Sequence, residues 1–384
     1  MNHFDLVVVG AGIMGVTAAL RAADGGMRVL VLEQDSAGSR ASGVNAGTLS
    51  LQIKRVSLMR YALAGYAWWK DAGDAVGFKR TGSYTLAFNA SEEALLDERM
   101  RLKIAAGAPI EFVSPATVRA AESALCDRIV SATYCADDGH ADSTRTGVYL
   151  RALLHDAGIE LRERSALLGI DVGGVGYTLR TAHENVTSTN LLLATGAWLK
   201  PTAALLGADL PIEVRVNTVT ATERGPSLLG AGVGHATGLL TLKQKSNGSF
   251  LIGGGWQGRG SPETGRGEVV GETLLQNLRL ARFAVPGIVG FRILRSWTGF
   301  EAFVPDHYPL AGELPGIPRA YVLGCVRGGY TIGPCIGTLM GDRILGREPA
   351  LPLFDPARVM KPQIAMRENI DSPLRTRSPT LPIA

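Results

Sequence analysis

The hydrophobic pattern of the amino-terminal segment switches period twice. Asp5-Leu6-Val7-Val8-Val9 is a short β-branched run, the pattern of a strand buried on both faces. Ile13, Val16, Ala19 and Leu20 then recur at helical spacing up to Ala23, and Gly25-Gly26 supplies a stop. Arg28 to Leu32 returns to a strand pattern that ends at Glu33, so one βαβ unit is predicted over residues 5–33. Further on, Tyr84–Phe88 reads as a strand and Glu92–Ala106 as a charged helix with Asp97 and Arg101 four apart. Gly158–Glu163, then Ala166, Leu167 and Ile170, predict two strands, and Asn190–Ala194 an apolar one. Val219, Ala221, Leu240, Leu242, Phe250 and Ile252 alternate as antiparallel strands before a helix around Gly271–Phe283. Lys243 and Lys245 point to one side of that pattern, and Ile336–Leu345 closes the chain's core with helical spacing.

Between the first strand and helix lies Gly10-Ala11-Gly12-Ile13-Met14-Gly15, a G-x-G-x-x-G turn. Gly10 permits the tight exit from the strand, Gly12 lets a pyrophosphate approach the backbone, and Gly15 lets helix and strand pack closely. The helix N-terminus at Ile13 and Met14 adds N–H donors and the positive end of its dipole. Glu33, 18 residues after Gly15, can accept both hydroxyls of an adenosine ribose, with Gln34 beside it. The same carboxylate repels a 2′-phosphate, which argues against NADP. Gly253-Gly254-Gly255-Trp256-Gln257-Gly258 has equal spacing, but Arg259-Gly260-Ser261-Pro262 breaks any helix after it, so it reads as a turn or bulge.

Composition narrows the class. The 384 residues carry 39 Lys+Arg against 35 Asp+Glu and are 46% apolar, which fits two or three folded domains and excludes global disorder. Forty-eight glycines and 19 prolines follow no collagen period. Basic residues come only in small groups, such as Lys54-Arg55 and Arg375 with Arg377, which is not a nucleic-acid footprint. No apolar run reaches the roughly 18 residues of a membrane span. Removing the first apolar run as a signal would destroy the glycine turn, so a cytoplasmic location is expected. Cys126, Cys135, Cys325 and Cys335 form no C-x-x-C pair; reduced thiols and no metal or iron–sulfur site are expected.

Three further segments carry a family resemblance. Ser39-Arg40-Ala41-Ser42-Gly43-Val44-Asn45-Ala46-Gly47 is small, polar and aperiodic. Asn190–Ala194 runs into Thr195-Gly196-Ala197-Trp198, and Gly324-Cys325-Val326-Arg327-Gly328-Gly329-Tyr330-Thr331-Ile332-Gly333-Pro334 leads into the last helical pattern. With these the chain resembles, over roughly residues 4–350, the D-amino-acid oxidase superfamily of FAD-dependent oxidoreductases. Its glycine-oxidase and sarcosine-oxidase-β-like branch, which includes opine oxidase, hydroxyproline dehydrogenase and hydrogen cyanide synthase subunits, is the most similar. The resemblance implies an α/β fold: a Rossmann-like FAD-binding domain with a discontinuous, mostly antiparallel substrate domain. The first is expected over 1–82, 139–216 and 300–350, the second over 83–138 and 217–299, with an extended tail over 351–384.

It also implies non-covalent FAD, since neither Cys325 nor Cys335 matches the family's linkage position. Arg40, Ser42, Asn45, Ala46 and Gly47 are expected along the pyrophosphate and flavin, and the backbone of Leu167 at the adenine. Thr195, Gly196 and Trp198 are expected at the strand end. Arg327, Gly328, Gly329, Tyr330, Thr331 and Ile332 aim backbone N–H groups and a helix N-terminus at the ring, where reduction builds negative charge.

The implied reaction is oxidation of an amine or amino acid through an imine, by hydride transfer to the flavin, which demands orientation more than a protein base. In many relatives a G-x-R-P arginine grips the substrate carboxylate. Here Trp297-Thr298-Gly299-Phe300-Glu301-Ala302 places Glu301 at that position, which points to a cationic substrate. Arg55 and Arg327 are candidate replacement cations, His307 a group titrating near neutrality, and Tyr330 a lid on the pocket. Two alternatives stand beside the oxidase. One is a flavoprotein subunit passing electrons to an Fe–S or flavoprotein partner; the other is an NAD-dependent dehydrogenase.

Overall fold

The computed structural model describes residues 3–174 and 176–360. Strand His3–Val9, helix Ile13–Asp24 and strand Val29–Leu32 form the predicted βαβ unit. All of Leu6–Val9 and Val29–Leu32 is buried, as two uninterrupted apolar runs require. The parallel core of this sheet runs Ala320–Gly324, Asn185–Leu193, His3–Val9, Val29–Leu32, Glu160–Arg162. Leu167–Val172 and Tyr177–Thr181 extend it as an antiparallel hairpin on the first half of Asn185–Leu193. The carboxyl ends of three parallel strands therefore lie side by side at Val9, Leu193 and Val322, the edge at which open α/β sheets bind ligands.

Helix Gly329–Ile344 starts seven residues before the expected Ile336. The reason is packing. Gly333, Gly337 and Gly341, four apart, form a ridge against helix Ile13–Asp24. A Cβ on Gly337 would lie 2.0 Å from Thr17 Oγ1 and 2.5 Å from the Met14 carbonyl oxygen; one on Gly341 would lie 2.6 Å from Arg21 Cβ. Glycine here is a contact surface, and tight packing outweighs its helix-propensity cost of about 1 kcal/mol per residue. Pro334, inside the helix, cannot donate to the Tyr330 carbonyl. Trp69 Nε1–H donates to it instead at 2.7 Å, so the proline leaves no orphan acceptor.

A second sheet of eight strands covers the carboxyl edge of the first. Its order is Ile293–Phe303, Glu213–Arg224, Ser249–Gly253, Thr241–Gln244, Gly232–His235, Ser83–Ala87, Ser131–Cys135, Ile110–Val113. Only the Gly232–His235 and Ser83–Ala87 pair is parallel. One face carries Leu242, Phe250 and Ile252 against helix Gly271–Ala284; the other faces the nucleotide domain. Glu213↔Phe303 begins the pairing of the two longest strands, so the sheet runs past the 216/217 and 299/300 joins expected from the motifs and takes Glu301 with it. The second glycine turn bends at Gly254 and Gly255, φ +137° and +94°, with no helix after it. Asn89 caps helix Ala90–Ala105, on which Asp97 and Arg101 pair at 2.8 Å.

The carboxy-terminal segment departs from an extended tail as far as residue 360. Leu351, Leu353 and Phe354 pack on the hydrophobic core to which helices Ile13–Asp24 and Gly329–Ile344 contribute. Tyr61 Oη–H donates to the Pro352 carbonyl at 2.6 Å, and Arg358 pairs with Asp306 at 2.8 Å. Residues 361–384 of that expectation lie outside the described residues.

Candidate active site

The glycine turn is as tight as its motif demands. Gly10 sits at φ +109° with its missing Cβ 2.4 Å from the Ala194 carbonyl, and a Cβ on Gly15 would be 2.1 Å from the Gly10 carbonyl. Helix Ile13–Asp24 has no cap of its own. Ser42, which the structure places in a short helix, Ala41–Val44, within the aperiodic segment, accepts the Ile13 N–H at 3.0 Å. Glu33 is buried at the end of the second strand, where its carboxylate accepts the N–H groups of Ala11 and Asp35 at 2.9 Å each. Burial raises its pKa while these two donors pull the other way. A cavity of about 140 Å³ runs along this cradle past Gly12, Met14, Ser42, Gly196, Gly329 and Tyr330. Gly12 leaves its floor open, and the two helix N-termini meet there, which fits a dinucleotide pyrophosphate.

The remaining expected cofactor residues divide into lining and supporting groups. Ala46 lines the larger cavity described below. Asn45 locks its own loop, accepting from Gly47 N–H at 2.6 Å and donating to the Ala41 and Ser42 carbonyls. Gly47 is at φ +68°, and a Cβ there would lie 2.1 Å from the Ala141 carbonyl. Arg40 pairs with Asp35 at 2.6 Å and lies 5.1 Å above the Trp198 ring. Trp198 donates to the Pro262 carbonyl, and the Thr195 and Thr202 hydroxyls bond each other at 2.6 Å. Gln34 is exposed, and Leu167 is half-buried in the hairpin. Thr331 and Ile332 are fully buried: Ile332 packs in the core against helix Met59–Ala72, while the Thr331 hydroxyl has no hydrogen-bond partner among the described residues.

A cavity of about 440 Å³ opens between the two sheets, walled by Thr48, Lys54, Gly254, Glu301, Arg327 and Tyr330 among others. Lys54 is buried; its Nζ donates to the Gly328 carbonyl at 3.0 Å, at the start of the glycine-ridge helix. Burial pulls its pKa down to about 8, against the attraction of Asp138 and Glu301. Arg55 donates to the Asp306 carbonyl at 3.1 Å and lies 4.8 Å over the Tyr308 ring, with its buried Nε unpartnered. Among the described residues neither Lys54 nor Arg55 has a carboxylate in salt-bridge contact.

Glu301 does not offer a free negative charge, contrary to the expectation of a cationic substrate. Its Oε2 accepts Asn217 Nδ2–H at 3.0 Å and lies 3.5 Å from Arg327 Nε, while Gln257 holds Asn217 at 2.9 Å. The cation and anion neutralise each other, and Lys54 and Arg55 leave the cavity positive. His307 also lines it, at φ +59°, stacked on Phe303 with Nδ1 unpartnered. Burial first, then Arg55, Arg327 and Arg215, hold its pKa below the usual value, so it is a neutral imidazole near pH 7. Tyr330 lines the wall, but its hydroxyl bonds Thr146 at 2.7 Å and its ring lies 4.2 Å from that of Trp69, tilted by 35°, a packing role.

Lys243 is legible in the sequence only as one of two alternating lysines. It is buried, donates to Thr48 Oγ1 at 2.6 Å, and burial draws its pKa to about 7; Lys245 pairs with Asp142 at 3.6 Å. Asp138 carries no sequence signal. Fully buried, it accepts Ser83 Oγ–H, Leu51 N–H and, in a very short contact, Ser50 Oγ–H, clamping the segment that carries Lys54 to the second sheet. Among the described residues no cluster of His, Cys, Asp and Glu could hold a metal, and no helix is long and apolar enough to cross a membrane.

A nucleotide-binding parallel sheet roofed by a large mostly antiparallel sheet, with the cavity at their junction, defines the class of two-domain flavoprotein oxidoreductases. The family model for FAD dependent oxidoreductases, DAO, matches residues 5–343, and the chain belongs to that family. It is 26% identical to an opine oxidase subunit of Rhizobium meliloti over 85% of this chain and 90% of that one. It is 27% identical to glycine oxidase of Pseudomonas aeruginosa, over 92% and 97%. Glycine oxidase from Geobacillus kaustophilus and L-proline dehydrogenase from P. horikoshii share the fold, with TM-scores of 0.83 and 0.86. Their identities are 23% and 22%, the first over 92% and 97% of the two chains, the second over 93% and 98%. The protein is an FAD-dependent oxidoreductase, and the cradle of Gly12, Ser42 and Glu33 fits that cofactor.

Proposed function

We propose that this enzyme oxidises the C–N bond of a carboxylate-bearing amine, an amino acid or secondary amine, to the imine. The observation that carries this reading is the pair of cations, Lys54 and Arg55, that line the cavity with no carboxylate in salt-bridge contact among the described residues. Bound non-covalently, FAD supplies a two-electron acceptor for the substrate hydride. Lys54 and Arg55 hold the carboxylate and so orient the substrate Cα–H. Glu301, pinned by Arg327 and Asn217, keeps the guanidinium of Arg327 fixed at the same wall. Helix Gly329–Ile344, whose first residues line the cavities, would set its positive end to stabilise the negative charge of a reduced flavin held there. The relatives named opine oxidase and glycine oxidase support amine substrates.

Anaerobic bleaching of the flavin by sarcosine, glycine, D-proline, cis-4-hydroxy-D-proline and opines tests the proposal. Reduction by at least one is expected, and reduction by none overturns it. A second reading, favoured by the relative named as one subunit of an oxidase, is that the electrons leave to a partner protein. Peroxide release by the purified chain refutes it; turnover with dyes but not oxygen supports it.

A further inference from the structure

The same cavity holds another unpaired cation, away from Lys54 and Arg55. Helix Ala90–Ala105 covers this part and lines it with Leu96, Arg99 and Met100, facing His235 and Leu239. Arg99 Nη1 donates to the Ala236 carbonyl at 3.2 Å. Among the described residues the guanidinium has no carboxylate in salt-bridge contact. Nearby acids are committed elsewhere or point out. Glu92 accepts from Phe88 N–H and Thr237 Oγ–H and lies 3.8 Å from His235; Asp97 pairs with Arg101; Glu98 is exposed and attracts the Arg99 guanidinium without salt-bridge contact. His235 Nδ1 accepts the N–H groups of Thr237 and Gly238, so it offers no anion either.

A guanidinium carries five N–H donors in a fork matched to a carboxylate, and one carbonyl leaves most of them unused. Burial makes the unpaired charge costly, which a ligand anion relieves. Leu96, Met100 and Leu239 provide apolar walls for a hydrocarbon chain. Lys103, one helical turn from Arg99, donates to the Gln52 carbonyl two residues before Lys54. That connection ties the helix carrying Arg99 to the segment carrying Lys54, and both line the one cavity.

We propose that Arg99 forms a distal subsite for the second carboxylate of an elongated dicarboxylic amine, whose first carboxylate is held by Lys54 and Arg55. The inference rests on the amine-oxidising reading above and narrows its substrate class.

Holoenzyme is titrated with straight-chain diacids of about four to eight carbons and with monoacids of equal length, binding being read from the flavin absorbance. At least one diacid is expected to bind about tenfold tighter than its monoacid, the advantage of one charge-assisted contact. Arg99→Gln removes that advantage while leaving monoacid affinity within about twofold, and Arg99→Lys restores part of it. Equal binding of the two series by the unchanged protein overturns the subsite without recourse to any variant. So does an Arg99→Gln protein that weakens both series alike, the mark of a structural role. Monoacids that fail to bind at all overturn instead the carboxylate grip at Lys54 and Arg55, on which the subsite depends.

Discussion

Replacing Gly337 by alanine tests whether the glycine ridge holds the two cofactor-facing helices at their working distance. The new methyl group would start 2.0 Å from Thr17 Oγ1 and 2.5 Å from the Met14 carbonyl oxygen. Ordinary contact begins near 3.4 Å, so the methyl must retreat by about 1 Å from a carbonyl that is itself part of a helix. The Thr17 hydroxyl, hydrogen-bonded to the Ile13 carbonyl at 2.9 Å, can rotate away; the Met14 carbonyl cannot. Overpacking of this kind costs about 1–3 kcal/mol, occasionally more. Alanine's better helix propensity returns up to about 1 kcal/mol. The net loss is up to about 2 kcal/mol, which lowers the melting temperature by about 1 °C per kcal/mol in a chain of this size. Because both helix N-termini face the cofactor cradle, parting them also weakens FAD binding, by about tenfold for a 1.4 kcal/mol loss of fit. Thermal melts with and without FAD, and a fluorescence titration of the apoprotein with FAD, measure both effects. Gly271→Ala is the control: a Cβ there meets nothing within 4 Å. Thr17→Ala combined with Gly337→Ala relieves one of the two contacts and recovers only part of the loss. A Gly337→Ala protein that melts at or above the wild-type temperature with full FAD affinity refutes the packing argument.

Three further outcomes are expected. Lys243 has a folded pKa of about 7 against an ordinary 10.5, so its burial penalty is complete below pH 7, shrinks as pH rises to 10.5 and then vanishes. Lys243→Met therefore stabilises the protein most near pH 6, by a few kcal/mol at most. Denaturant midpoints across pH would show that advantage fading above neutrality, and a pH-independent difference would count against it. Glu33→Gln presents an amide N–H₂ toward one of the two backbone donors it now accepts, at Ala11 and Asp35. FAD affinity, measured by dialysis and fluorescence, falls by about tenfold or more; unchanged affinity would remove Glu33 from the cofactor site. Arg358→Ala breaks the ion pair to Asp306 and the donations to the Phe354, Asp355 and Tyr308 carbonyls. It should cost about 1–2 kcal/mol of stability and weaken carboxylate ligands through the loosened Asp306–Arg55 contact. A denaturant midpoint and ligand affinity both at wild-type values would show that the 351–360 segment does not support the cavity.

What the chain shows before folding is governed by sequence distance. The βαβ unit lies within 33 residues, and each of its parts constrains the next: the strand ends at Gly10, the helix at Gly25, and the ribose-side acid follows. Such local chemistry is legible because turn, cap and periodicity are all decided by near neighbours. The glycine-rich lead-in to the last helix shows the opposite limit. Gly333, Gly337 and Gly341 are visible as glycines, and their spacing of four is a signal for a helix contact. Read only through propensity, Gly333 and the Pro334 beside it delay the expected helix by seven residues, while Gly337 and Gly341 fall inside it. Ser42 is intermediate: its segment carries the resemblance that points to the cofactor, yet its cap on Ile13, 29 positions away, needs the fold. Glu301 is the instructive failure. A carboxylate in place of an expected arginine suggests a negative site, but charge at a position is not charge in a cavity. Arg327 neutralises it from 26 residues away and Asn217 donates a hydrogen bond to it from 84, while Arg99, on a helix that belongs to no cofactor motif, adds a cation no motif could announce. The sign of a binding site is thus set by which side chains fail to find partners, and that is settled only when distant strands and helices close around it.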